Sequence, residues 1–206
     1  MTSIASELLN IKAIKLQPSN PFTWASGWKS PFYCDNRKTL SFPELRTSIK
    51  NELAKAVKEF FPNADTVAGV ATGAIPQGAL VADTLNLPFV YVRSKPKDHG
   101  LTNLIEGYLP EGARVVVVED LISTGLSSLN AVDALRDKGA EVLGMVAIYT
   151  YGFPQAEQAF RDKGVELHTI TNYHEVVEEA LKTGYITVED KKLLDNWRTD
   201  PANWNK

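Results

Sequence analysis

Four consecutive valines, Val115, Val116, Val117 and Val118, run straight into two adjacent acids, Glu119 and Asp120, and this junction restricts the fold more than any other stretch. β-Branched residues at consecutive positions put apolar groups on both faces of a strand, which leaves no face for water. Such a strand belongs inside a sheet that is covered on both sides. Around it, short apolar runs at 66–70, 89–92, 114–119, 142–149 and 166–170 alternate with helical patterns at 76–85, 126–138 and 154–163. Alternation of this kind predicts an α/β fold, a central mostly parallel sheet flanked by helices. Ligands of such sheets bind at the carboxyl ends of the strands. The loops beginning at Ala71, Arg93 and Glu119 are therefore the places to look for chemistry.

Outside the alternating core the texture differs. Ile4, Leu8 and Ile11 recur at helical spacing and predict a short amphipathic helix over 3–12. From 13 to 40, Pro18, Pro21, Gly27 and Pro31 punctuate β-prone pieces at 22–24 and 31–34, which suggests turns and small antiparallel strands. Ser41 and Glu44 have capping-box spacing ahead of Leu45, Ile49, Leu53, Ala56 and Phe60, and Pro62 closes that helix. Two further helices are expected at 173–183 and 188–197. The chain of 206 residues thus reads as one compact domain, with an N-terminal helix and cap over 1–40 and an α/β core over 41–206.

A formal net charge of -3 supplies no general basic surface, so binding along a nucleic-acid backbone is not expected and any anion site must be local. Cys34 is the only cysteine, which excludes an internal disulfide and a zinc site of several thiolates. The apolar runs are too short to span a bilayer and the N-terminus has no charged-then-apolar export pattern. A cytoplasmic protein without membrane partners is expected. His168 and His174 have no companion at metal-ligand spacing and read as structural, and Trp197 and Trp204 read as packing or exposed residues.

The chemistry concentrates after the valine strand, in Glu119, Asp120, Leu121, Ile122, Ser123, Thr124, Gly125, Leu126, Ser127 and Ser128. Acids are depleted in strands, so a pair at this end suggests a ligand that needs them. Hydroxyl residues and a glycine then lead into a helix, where backbone N–H groups and the helix dipole favour an anion. Carboxylates that accept hydrogen bonds from sugar hydroxyls, beside a phosphate nest, describe a ribose 5-phosphate site. The plainer alternative is a helix cap next to solvated acids. No Gly-Lys-Ser/Thr ending and no GxGxxG is present, which sets aside a Walker loop and a dinucleotide fingerprint. A second loop carries Arg93, Lys95, Lys97 and His99 at alternate positions. On an extended chain these project to one side, and such a cluster suits a pyrophosphate leaving group. The run Gly69, Val70, Ala71, Thr72, Gly73, Ala74 is a third loop whose small residues let backbone amides approach an anion.

The stretch after the valines resembles the phosphoribosyl pyrophosphate (PRPP) signature of the type I phosphoribosyltransferases: a hydrophobic strand, two acids, two apolar residues, then a hydroxyl- and glycine-rich loop. The segment from Tyr91 to Gly100 resembles the catalytic loop of the orotate phosphoribosyltransferases, and Thr72 with Gly73 looks like the family's pyrophosphate loop. From Phe22 to Lys38 the chain resembles the hood that covers orotate in that branch, and its aromatic residues could sandwich a flat pyrimidine or simply pack the hood. The resemblance implies the type I phosphoribosyltransferase fold with an N-terminal hood, and transfer of a 5-phosphoribosyl group from PRPP to N1 of orotate. Products are orotidine 5'-phosphate and pyrophosphate, a step of UMP biosynthesis.

It further implies roles for individual residues. Lys97 is the principal catalytic lysine, with Arg93, His99 and Asp120 beside it. PRPP is held by Glu119, Asp120, Leu121, Ile122, Ser123, Thr124, Gly125, Leu126, Ser127, Thr72 and Gly73 together with the cationic loop. Ser123, Lys29, Phe32 and Tyr33 serve orotate. Ala25 stands where part of the family carries a lysine, and Tyr151-Gly152 where others use an arginine, so hood amides and Lys29 would hold the orotate carboxylate. Mg²⁺ would come with PRPP rather than through direct protein ligands. A homodimer sharing its catalytic loop between subunits is implied as well. The alternatives are a transferase for another base, which should lack the hood, and a PRPP-sensing regulator, which would need nucleic-acid contacts.

Overall fold

The computed structural model describes residues 2–24, 27–95 and 104–204. In chain order it contains α1 (Ile4–Asn10), β1 (Ile14–Leu16), β2 (Phe22–Thr23), β3 (Lys29–Ser30), β4 (Phe32–Cys34), a 3-10 turn (Asn36–Ser41) and α2 (Pro43–Phe60). There follow β5 (Thr66–Val70), α3 (Ile75–Leu85), β6 (Phe89–Val92), β7 (Ile105–Glu106), β8 (Arg114–Ile122), α4 (Leu126–Asp137) and β9 (Glu141–Thr150). The chain finishes with α5 (Pro154–Asp162), β10 (Leu167–Asn172), α6 (Tyr173–Lys182) and α7 (Val188–Thr199). It divides into two compact units, 43–170 and the pair of segments 1–42 and 171–206. The sequence reading extends the α/β core to the C-terminus, whereas 171–206 groups with the N-terminal segment.

In the larger unit the six-stranded sheet has the order β10-β9-β8-β5-β6-β7. β5 runs parallel to both β6 and β8, β8 parallel to β9, and β7 antiparallel to β6. The valines behave as their pattern requires. Val115 and Val117 join one cluster with Leu129, Val132, Leu135 and Phe160 of the helices α4 and α5. Val116 and Val118 are equally buried but outside that cluster, so both faces of β8 are covered. Each valine removed from water contributes about 1.5–3 kcal/mol, before the entropy of ordering is counted.

Two local expectations differ from what forms. α2 begins at Pro43, because Ser41 is taken into the preceding 3-10 turn and Pro43 suits the first helical position, so the expected Ser41 cap is displaced. β8 continues three residues beyond the predicted end at Glu119, since Leu121 and Ile122 pair with Tyr149 and Thr150 of β9. Asp120 therefore lies within the strand rather than just after it.

The smaller unit is built around aromatic rings. β1 pairs antiparallel with β4, and β2 with β3. Phe32 is 0% exposed and stacks on Trp197 of α7 at 6.2 Å and 10°. Tyr173 of α6 lies 5.8 Å from Phe32, and Trp24 meets Trp197 edge-on at 5.8 Å while its Nε1 donates to the Phe32 carbonyl at 3.1 Å. Burial raises the Tyr173 phenol above its ordinary value, the Asp195 carboxylate adds to this, and the charge of Arg198 opposes it. Trp197 is a packing residue of this unit.

Candidate active site

β5 and β8 are neighbours and parallel, so their following loops emerge at the same edge of the sheet. There the two acids differ sharply. Glu119 is 4% exposed, with Oε1 accepting the Asp120 backbone N–H at 2.9 Å and Oε2 accepting the Ser128 hydroxyl at 2.8 Å. Burial raises the Glu119 carboxyl well above the usual carboxylate range, and the adjacent Asp120 charge adds to it. The two hydrogen bonds from the Asp120 amide and Ser128 act the other way. Asp120 is only half-buried and its carboxylate lies against the backbone of Gly73, so close that a Cβ at that position would overlap its Oδ2. The pyrophosphate-type loop and the acid pair, 47 positions apart in the chain, thus meet at one point.

The loop that closes the motif is shaped by Gly125, whose φ of 81° is left-handed and which caps α4. A Cβ there would approach Phe160 Cε2 to 2.9 Å, so the position excludes a side chain on two grounds. With glycine at the cap, no side-chain oxygen competes for the first-turn N–H groups of α4, which remain suited to an anion. Ser123 is half-buried, Thr124 and Ser127 are exposed, and Leu126 stands 68% exposed at the helix start. On the β5 side, Thr72 is exposed and the Ala71–Thr72 peptide is cis. Gly78 of α3 sits so near Gly69 of β5 that a Cβ would come 3.2 Å from the Gly69 Cα and 2.7 Å from the Phe89 ring, so only glycine lets the helix and strand approach this closely.

β6 lies on the other side of β5, and Arg93 follows it. Its N–H donates to the Leu104 carbonyl at 2.8 Å, and its guanidinium pairs with Glu106 of β7 at 3.5 Å. Lys95 is exposed. Lys97 and His99 lie outside the described residues, as does Ala25. Within the smaller unit, Lys29 donates to Thr23 Oγ1 at 2.8 Å, and Tyr33 is 36% exposed with its ring 5.4 Å from Phe22. Phe32 is enclosed by Trp197 and Tyr173, so its ring follows the packing alternative and presents no face to a base. Tyr151 is likewise buried, stacked on Phe153 at 5.2 Å and set edge-on to Tyr149 at 5.1 Å. Ser128 and Gly69 stand inside the two motif runs without a role of their own there, and Gly78 lies outside every motif. The helical spacing of Ser128 from the loop, and small residues facing each other across a strand and helix, were the only signals for them.

The phosphoribosyl transferase domain model matches residues 42–183. An orotate phosphoribosyltransferase of Bacteroides fragilis is 70% identical over 200 residues, covering 97% of this chain and 94% of that protein. The chain belongs to the orotate phosphoribosyltransferases. A Bacteroides thetaiotaomicron orotate phosphoribosyltransferase is 68% identical over 201 residues, covering 98% of this chain and 95% of the other. The crystal structure of the Aeropyrum pernix orotate phosphoribosyltransferase superposes with a TM-score of 0.78 at 29% identity, covering 89% of this chain and 99% of that one. The fold is the one that the alternating sequence pattern implied. No helix among the described residues is long and apolar enough to cross a membrane.

Proposed function

We propose that the protein transfers the 5-phosphoribosyl group of PRPP to N1 of orotate, releasing pyrophosphate and forming orotidine 5'-phosphate for UMP synthesis in the cytoplasm. The observation that carries this reading is the meeting of Asp120 with Gly73, which brings a ribose-type acceptor and a pyrophosphate-type loop to one point. Asp120, with Glu119 behind it, accepts hydrogen bonds from the ribose hydroxyls. The amides of the 123–127 loop and the first turn of α4 take the 5-phosphate, with the hydroxyls of Ser123, Thr124 and Ser127 as further donors. Thr72 and the Gly73 backbone take the pyrophosphate. The ring nitrogen of anionic orotate is itself a competent nucleophile, so the reaction needs no protein nucleophile. Departure of pyrophosphate runs ahead of bond formation, with oxocarbenium character at the anomeric carbon.

Arg93, Lys97 and His99 neutralise charge that builds on the leaving pyrophosphate. Mg²⁺ fits this arrangement as a partner of PRPP: a hard cation that retains waters and takes phosphate oxygens needs no protein cage, and it would supply charge neutralisation at the pyrophosphate. No cluster of three or more His, Cys, Asp or Glu suited to a metal occurs among the described residues. For orotate we favour Ser123, which is half-buried, with Lys29 and Tyr33, which are exposed. The catalytic loop acts across a homodimer in this reading.

Orotate absorbance followed with PRPP and Mg²⁺ tests the reaction. Loss of the orotate band with release of pyrophosphate supports it, and turnover of adenine or guanine instead would replace the acceptor. Lys97→Ala should lower kcat about a hundredfold. Mixing that variant with Asp120→Asn should recover part of the activity if the loop is shared, and no recovery would refute sharing.

A further inference from the structure

Ser128 stands outside the loop that holds the ligand, on the inner face of α4, and is 1% exposed. Its hydroxyl meets the more deeply buried of the two acids at 2.8 Å, nine residues back along the chain. The other oxygen of that acid receives the Asp120 N–H at 2.9 Å, so the Glu119 carboxylate is fixed at both ends. The surroundings otherwise offer little to a charge. Ala147 lies opposite Glu119 on β9, Gly69 lies opposite the preceding Val118 on β5, and Asp120 is the charged group that acts on Glu119.

The geometry points to Ser128 as a positioning residue: by donating to Oε2 of Glu119 it locks that carboxylate beneath the PRPP loop as an acceptor for the Asp120 amide. The inference rests on the proposed PRPP site and goes one layer deeper. A buried carboxylate with a like charge beside it favours its protonated form, and the hydroxyl is one of two groups that resist this. A protonated Glu119 would turn one oxygen from acceptor into donor, loosen the hold on the Asp120 amide, and so disturb the strand residue that faces the sugar.

Ser128→Ala removes this donor while keeping a good helix former. The readout is the ratio of wild-type to variant kcat/KM for PRPP across pH. We expect about a tenfold ratio at the acidic end that closes to within about twofold at the alkaline end, where Glu119 is ionised in both proteins. Ser128→Cys, with a weaker donor of similar size, should fall between them. Carboxyl carbon NMR of Glu119 gives a reading independent of turnover: its titration midpoint should move to higher pH in Ser128→Ala. A ratio that is constant over pH, or an unmoved Glu119 midpoint, overturns the role assigned to Ser128. If the wild-type protein consumes no orotate with PRPP, the functional reading fails, and the NMR midpoint still decides the Ser128–Glu119 coupling.

Discussion

A methyl group at position 73 would fall on the Asp120 carboxylate, so Gly73→Ala must push either the acid or the loop aside. Because both belong to the proposed site, kcat/KM for PRPP should drop about a hundredfold, while overpacking costs only about 1–3 kcal/mol in a urea melt. Near-normal turnover would mean that the loop can yield without consequence. Glu119 makes a second prediction at this scale. Its folded-state pKa is raised, so the native protein holds a proton more tightly than the unfolded chain, and stability falls as pH rises from the ordinary carboxylate value toward the folded one. Glu119→Gln removes that pH-dependent penalty. The variant should melt above the wild type at neutral pH, with the difference shrinking on acidification, even as activity is lost. A difference that grows toward acid would contradict the sign. The need for acids here was legible in the sequence. Their unequal burial was not, because it depends on Ser128 and on the β9 ladder, neither of which local patterning reveals.

At the level of elements, the turn from β8 into α4 depends on Gly125. Alanine at a φ of 81° carries a left-handed penalty of about 1–2 kcal/mol, and its methyl would press on Phe160 of α5. Gly125→Ala should therefore lower the melting temperature by several degrees and raise KM for PRPP about tenfold, measured by calorimetry and by initial rates. An unchanged KM with a lowered melting point would separate the turn from the ligand. The same turn shows how far elements can be read from sequence. The apolar runs identified the central strands, but the strand β8 outlasts its predicted end because pairing with Tyr149 and Thr150 rewards three more extended residues. β1, β3 and β7 have two or three residues, too few to show a period, and lack the aromatic residues that mark the equally short β2 and β4.

For the whole molecule, the two chain ends share one unit. Trp197 of α7 is the largest of its fully buried side chains and contacts both Phe32 and Trp24, near the other end of the sequence. Trp197→Ala should cost about 3–5 kcal/mol in that unit. Limited proteolysis should then cut within 1–42 well before the 43–170 unit is attacked. Simultaneous loss of both units would show that they unfold as one, and unchanged protection of 1–42 would contradict the packing role. The sequence reading placed the C-terminal helices with the core, since helical periodicity reports which face is apolar and not what it packs against.

By itself the sequence determined the α/β class, the order of the central strands and helices along the chain, and the loops that could bind a sugar phosphate. Those follow from periodicities and turn chemistry that act within a few residues. Only tertiary structure decided that Gly73 lies against Asp120, that Ser128 holds Glu119, that Phe32 faces inward and that residues 171–206 join the N-terminal segment. Each is a contact between distant positions, set by strand order and close packing, and no local pattern encodes a distance across the sheet.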